Sequence, residues 1–422
     1  MSSKLALAFL ASALTLPAAA RAADNTIEAG GVKFRPQEID RSLKVGYAVK
    51  LIDLNGDGKL DIAVVDSARV VWFENPGGDG SGAWKLHTIV DDKQAGIKAD
   101  NVCFDFYDID GDGKVDCALG ADWQPGNVKA GGSLQWLQQG KNIDDPWTVH
   151  PIIESEPTLH RIRFAHVDAS GKPALVVAPL KGRDSTQAAN FMDHGTRLLA
   201  FPIPKDPAKD KWEPVVLTDQ LHVNHNILPL AADKDAGLLT ASYEGVNRLT
   251  RGADGKRALT KVGAGNQENP KASLGSSEVK VGKLKGGREL IATIEPFHGH
   301  QAVVYTTPKD DKGLLTRTVL DSTLKEGHGL WCADLDGDGE DEVVVGWRGG
   351  DKPGLRVFKA GAADADKAPT WQKTELDPGG VAVEDLACAD LNGDGKVDIV
   401  AVGRATHNVK IYWNEANGGG AK

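Results

Sequence analysis

Nine-residue acidic segments recur along this chain, and their recurrence limits the fold more than any other feature. Asp53–Asp61 (DLNGDGKLD), Asp108–Asp116 (DIDGDGKVD), Asp334–Glu342 (DLDGDGEDE) and Asp390–Asp398 (DLNGDGKVD) share one pattern. Each leads into an apolar run such as Ile62–Val65, Val343–Gly346 or Ile399–Val402. A loop follows, then an aromatic strand such as Val70–Phe73 or Lys410–Trp413. A last piece closes the unit at Trp84–Val90, Trp147–Ile153, Trp212–Leu217, Leu315–Leu320 and Trp371–Leu376. Four strands in a repeat of about forty to sixty residues predict a β-propeller blade. Weaker copies start at Phe164–Gly171, span Leu221–Gly265 and start at Val279–Gly287, so the expected fold is all-β with seven blades. Lys33–Asp40 reads as the outer strand that the last repeat lacks, which predicts ring closure by an N-terminal strand.

Composition agrees with many tight turns and short strands: 49 Gly and ten Trp against two Met in 422 residues. A formal charge of −10 argues against nucleic-acid binding through general charge. Four cysteines are too few to build a disulfide scaffold, and they are expected as buried free thiols. Residues 1–22 combine Lys4, an apolar run from Leu5 to Leu16, Pro17 and the small-residue pattern Ala20-Arg21-Ala22. They read as a cleaved signal peptide, which implies a secreted or periplasmic protein; the apolar run is too short for a membrane span. Residues 23–417 are expected as one propeller and 418–422 as a disordered tail.

Within the acidic loops, oxygen donors fall at positions 1, 3, 5 and 9, with Gly at 4 and 6 allowing a sharp reversal. Asp53, Asn55, Asp57 and Asp61 form the first set, and Asp108, Asp110, Asp112 and Asp116 the second. Asp334, Asp336, Asp338 and Glu342 form the third, and Asp390, Asn392, Asp394 and Asp398 the fourth. Hard oxygen ligands at this spacing predict about four structural Ca²⁺ sites. An EF-hand would need an acid at position 12, where Val64, Leu119, Val345 and Ala401 stand instead.

The repeats resemble the FG-GAP or VCBS class of integrin-like and exported bacterial propellers. Three histidine-bearing segments, Leu221–Ile227, Glu295–Gln301 and Glu326–Asp334, resemble the propeller domain of aldos-2-ulose dehydratase, a sugar-dehydrating lyase with bound metal. That enzyme also carries cupin domains, which are not expected within these 422 residues. The resemblance implies a carbohydrate substrate.

Strand parity adds a functional argument. The acidic loops join the first and second strands of each blade and share one face; whatever precedes the first strand lies on the other. Six residues ahead of the loop stand Tyr47, His160 and His328, with His222 and His225 in the equivalent region of the fourth blade and Glu384 and Asp385 in that of the seventh. The other connection on this face carries His194, His298, His300 and His407. Such imidazoles suit a transition metal or proton transfer. We expect His222, His225, His298 and His300 to hold Zn²⁺ or a similar divalent metal, with His160 or His328 as base and Tyr47 or Tyr243 assisting the leaving group. Arg163, Arg348, Glu244 and His194 are the expected substrate contacts. The function these imply is a carbohydrate lyase or dehydratase working by β-elimination on a keto-sugar or uronate-type glycan. The alternative is a non-catalytic, calcium-stabilised propeller that binds a protein or glycan. Oligomeric state is not readable from the sequence.

Overall fold

A computed structural model describes residues 26–94, 96–168, 170–230, 237–252, 255–269, 271–307, 313–361 and 369–415. The signal peptide expected over 1–22 and the tail expected over 418–422 lie outside the described residues.

Seven antiparallel sheets follow one another around a ring, each starting with an inner strand. The inner strands are Gly46–Ile52, Cys103–Tyr107, Leu159–Ala165, Asn226–Pro229, Glu278–Leu284, Gly327–Ala333 and Val383–Ala389, and we number the blades one to seven in that order. Second strands such as Asp61–Asp66, Glu342–Trp347 and Asp398–Gly403 are buried along their whole length. They lie between neighbouring blades and have apolar residues on both faces, which explains their unbroken hydrophobic runs. Outer strands such as Val215–Leu221 face solvent and lose that continuity.

The acidic loops are built by their first and last carboxylates. Asp53 Oδ1 accepts the N–H groups of Gly56 and Asp57 at 2.8 and 3.1 Å, and Oδ2 accepts that of Gly58 at 2.9 Å. Gly56 and Gly58 have φ of 76° and 83°, a region that side chains with a Cβ rarely enter. The ninth residue points inward. Asp61 accepts the N–H of Leu54 at 3.1 Å and of Asn75 at 2.9 Å, which ties the loop to the end of the third strand. Asp116 and Asp398 make the same pair of bonds, to Ile109 and Gln139 and to Leu391 and Asn414. Burial pushes these carboxyls up, to about 6 for Asp61 and Asp116 and about 7 for Asp398.

Blade seven contains Val383–Ala389, Asp398–Gly403 and Val409–Asn414 and then takes Val32–Asp40 as its fourth strand, with Phe34 opposite Asn414 and Gln37 opposite Ile411. Ile27–Ala29 adds a fifth strand. Phe34, Val32 and Ala29 are fully buried against Leu355, Val357 and Leu376 of blade six, so the N-terminal segment bridges two blades. Three of the four free cysteines are buried and Cys332 is half-buried.

Because Phe34 links the two ends of the ring, Phe34→Ala should cost about 3–5 kcal/mol in urea unfolding. Val216→Ala, on an exposed outer strand, should stay within about 0.5 kcal/mol of wild type.

Candidate active site: a histidine cluster at the head of the inner strands

In four blades the pairing of first and second strands slips by one residue at the same level. Gly46 faces Asp66 and Ala48 faces Val65, so Tyr47 is the extra residue. His160, His328 and Glu384 are the extra residues in blades three, six and seven. Such a bulge re-aims the side chain that it adds. The common six-residue spacing to the acidic loop is thus a sequence trace of the bulge. In blade four His225 stands just ahead of the inner strand, its N–H donating to the Ala241 carbonyl at 2.9 Å.

His298 comes from a turn between the second and third strands of blade five, with φ of 48°. Gly299 closes that turn: a Cβ there would stand 2.2 Å from the Glu295 carbonyl oxygen. Fully buried Glu295 anchors the turn, accepting from Tyr305 Oη at 2.6 Å, Thr293 Oγ1 at 2.8 Å and Arg317 Nε at 2.8 Å.

These elements bring four imidazoles together. Ring centroids are 4.7 Å apart for His160 and His225, 4.7 Å for His225 and His298, and 5.0 Å for His298 and His328. Trp123 stacks on His160 and Phe297 on His298, at 4.8 and 4.0 Å. Nitrogens of His225, His298 and His328 lie within 4.8 Å of one another. His225 Nδ1 donates to the Ser277 carbonyl at 3.0 Å, and His328 Nδ1 donates to the Glu384 carbonyl. Both rings therefore turn an unprotonated Nε2 inward, the tautomer used by metal-bound histidines. His225 Nε2 is 2.9 Å from His298 Nε2. Two nitrogens on a tetrahedral zinc stand about 3.3 Å apart, so this three-histidine set fits such an ion after a small separation.

Burial holds His160, His225, His298 and His328 well below the ordinary imidazole value, and the charges of Arg161 and Arg348 lower them further. Arg348 donates to Glu384 at 2.6 Å and Glu326 at 3.1 Å and approaches His298 Nδ1 at 3.4 Å. Arg404 donates to the other Glu384 oxygen at 2.9 Å, and its guanidinium lies 5.5 Å from the Tyr47 ring. Burial, with Asp100 nearby, pushes Tyr47 up to about 12. His160 is distinct. Arg161 Nη1 lies 3.3 Å from its Nδ1, while its buried Nε2 has no hydrogen-bond partner among the described residues.

Other expected site residues lie elsewhere. His222 leaves the cluster, its Nδ1 pairing with Glu244 at 2.7 Å, because Val223, with φ of 44°, separates its direction from that of His225. The Glu244 bond raises His222; burial pushes Glu244 up, but the bonds from His222 and Ser242 carry it below its ordinary value. His300 is exposed, since the turn at Gly299 directs it outward. His194 is exposed near Asp193. Tyr243 packs against Phe297, which stands between it and the imidazoles. Arg163 lines a cavity further down the axis. Conversely, Glu278, whose carboxylate lies 3.0 Å from His225 Nδ1, joins the site with Trp123 and Phe297 without having been singled out in the sequence. Trp123 follows the second strand of blade two, where parity places a loop on this face; nothing in the pattern marks Glu278 or Phe297.

Fold and repeats define the class: a seven-bladed β-propeller with FG-GAP-like repeats, the FG-GAP-like family model matching residues 53–119. The chain is similar to the propeller domain of aldos-2-ulose dehydratase, whose family model matches residues 131–308. Aldos-2-ulose dehydratase of Phanerodontia chrysosporium is 26% identical over 310 residues, covering 68% of this chain and 33% of the relative. The chain thus spans about a third of that enzyme's length. An EF-hand model matches residues 383–399, although strands flank the loop. Among solved structures, an ancestral GH74 enzyme aligns with a TM-score of 0.55 at 10% identity, over 94% of this chain and 51% of its own. A streptogramin B lyase aligns with a TM-score of 0.51 at 13% identity, over 92% and 99%. These likenesses show the fold. Among the described residues no helix is long and apolar enough to cross a membrane.

The four lowered imidazoles make stability pH-dependent with a defined sign. Below about pH 6.5 the unfolded chain binds protons that the folded cluster refuses, so their contribution is intact above that pH and lost as pH falls. His160→Leu removes one such group. Urea titrations at pH 6 and pH 5 should then show a slope shallower than wild type by up to about 1.4 kcal/mol per pH unit.

Proposed function

We propose that this chain is an exported carbohydrate lyase or dehydratase that performs metal-assisted β-elimination on a keto-sugar or uronate-type glycan at the histidine cluster. The observation that carries this reading is the inward-facing Nε2 pair of His225 and His328, each set by a backbone carbonyl, beside His298. The likeness to aldos-2-ulose dehydratase supports a sugar substrate. The leader-like residues 1–22 support export.

His225, His298 and His328 would hold Zn²⁺ or a similar ion, which when bound supplies Lewis-acid polarisation of the oxygen beside the acidic C–H. In the elimination a C–H proton is removed, a carbon–carbon double bond forms next to the carbonyl, and the β-oxygen departs with a proton as water or an alcohol. His160 is assigned the proton transfer because it is neutral and close to the triad, and its Nε2 has no hydrogen-bond partner among the described residues. Acting as base there requires the ring proton to sit on Nδ1, so the Arg161 contact at that atom must open. Arg348 and Arg404, held by Glu384, orient sugar oxygens. Tyr47 stays protonated and assists the departing oxygen.

Calcium in the four acidic loops belongs to the same proposal. Oxygens of Asp108, Asp110 and Asp116, and of Asp334, Asp336 and Glu342, gather within 4.8 Å. Lys359 approaches Asp338 at 2.9 Å and Glu342 at 3.6 Å, so part of the charge in the third loop is already offset. Metal analysis should find calcium near four equivalents, and chelation should lower the melting temperature. Asp108→Asn should remove about one equivalent.

Ultraviolet absorbance tests the activity, since elimination beside a carbonyl creates a conjugated chromophore. Incubation with keto-sugars and uronate glycans should produce it in wild type, and a His225→Ala, His298→Ala double variant should lose both the chromophore and about one equivalent of zinc-like metal. Calcium without a triad metal, and no chromophore from either substrate class, would favour the non-catalytic binding propeller instead.

A further inference from the structure

We infer that the axial cavity beneath the histidine cluster binds a sugar acid of monosaccharide size, with its carboxylate held between Arg163 and Lys280. The site is separate from the imidazole triad, and the inference does not rest on the elimination chemistry.

The cavity has a volume of about 640 Å³ and runs from the level of Arg161 and Asn226 to that of Leu51 and Ala389. Strand register explains its lining. Lys50, Asp105, Arg163, Lys280 and Trp331 stand opposite Ala63, Ala118, Val176, Ala292 and Val344, and all five line the cavity. Three of these five are cations, and they come from alternate blades.

Lys50 is matched, its ammonium lying 2.7 Å from Asp105. Arg163 Nη1 donates to the Ile162 carbonyl at 2.7 Å, and the Lys280 ammonium lies 4.8 Å from the Trp331 ring centre. Among the described residues neither Arg163 nor Lys280 closes an ion pair. Burial lowers both Lys50 and Lys280; Asp105 offsets part of this at Lys50, and Glu278 and Asp385 at Lys280. The Arg163 charge acts against both, so a repulsion between Arg163 and each lysine remains across the space they share. A carboxylate between Arg163 and Lys280 relieves that repulsion and meets donors from two blades.

Size and chemistry select the rest of the ligand. A space of this volume is in the range of small-molecule sites and much larger than an inorganic oxyanion requires. Trp331 and Phe164 offer apolar faces to sugar C–H groups, while Asn226 and Asp385 offer polar atoms to hydroxyls.

Titration calorimetry and tryptophan emission on the purified chain test this with D-gluconate and D-glucuronate, using D-glucose and inorganic phosphate as controls. At least one sugar acid should bind at one site and change the emission, while glucose does not bind. Arg163→Met and Lys280→Met should each weaken binding by about tenfold or more. Trp331→Phe should reduce the emission change and leave the binding heat. Melting temperatures supply a second readout: the sugar acid should raise that of wild type and of Lys280→Arg, but not that of Lys280→Met. Absence of binding, equal affinity in the Met variants, or tighter binding of glucose or phosphate would overturn the inference. Zinc-like metal bound by the triad should be the same in wild type and both Met variants, so failure here is distinguishable from failure of the proposed elimination.

Discussion

Strand register at the axis is the constraint on which the rest of this structure depends. Seven inner strands converge there, and alternation along each strand would send only every second side chain inward. The one-residue slip at Tyr47, His160, His328 and Glu384 breaks that alternation at a single level in four blades. It adds chemistry-bearing side chains at the head of the axis without changing the register below. The residues that follow the slip, including Arg161 and Asp385, line the cavity beneath. One backbone device therefore separates an imidazole level from a charged level.

The two ends of the inner strands use backbone hydrogen bonds for different ends. At the acidic loops the ninth carboxylate accepts N–H groups from its own loop and from the third strand, which fixes the hairpin within each blade. At the other end backbone carbonyls accept from imidazole, and the partners belong to neighbouring blades: His225 to Ser277, His328 to Glu384. Both interactions satisfy buried polar groups. Only the second also chooses a tautomer, and so decides which ring nitrogen faces the axis.

Much of this was legible in the sequence. Repeats of acidic loop and apolar run carried the blade count, because each blade repeats the same burial pattern. The six-residue spacing located Tyr47, His160, His328 and Glu384 because the bulge recurs at a constant distance from the loop. Neighbouring histidines were harder to separate. His222 and His225, like His298 and His300, lie within one short segment, and which ring turns inward depends on the backbone at Val223, His298 and Gly299. Left-handed conformations at non-glycine residues leave little trace in composition. The ring of cations lower in the axis was also hidden, since Lys50, Arg163 and Lys280 lie far apart in the chain and meet only through closure of the ring.

Electrostatics couples the two levels. Arg161 lies against His160 and lines the cavity beneath, so it belongs to both. Its charge and that of Arg348 oppose protonation of the four imidazoles, in addition to burial. A cluster of histidines in water would share protons near neutrality; here burial first, and the arginines after it, keep the imidazoles neutral, with lone pairs available to a metal. Glu384 limits the opposite excess. It accepts one bond from Arg348 and one from Arg404, while its carbonyl orients His328. A single residue at the bulge of blade seven thus sets the position of two cations and the tautomer of one imidazole, which makes it the point at which the geometry and the charge of the cluster meet.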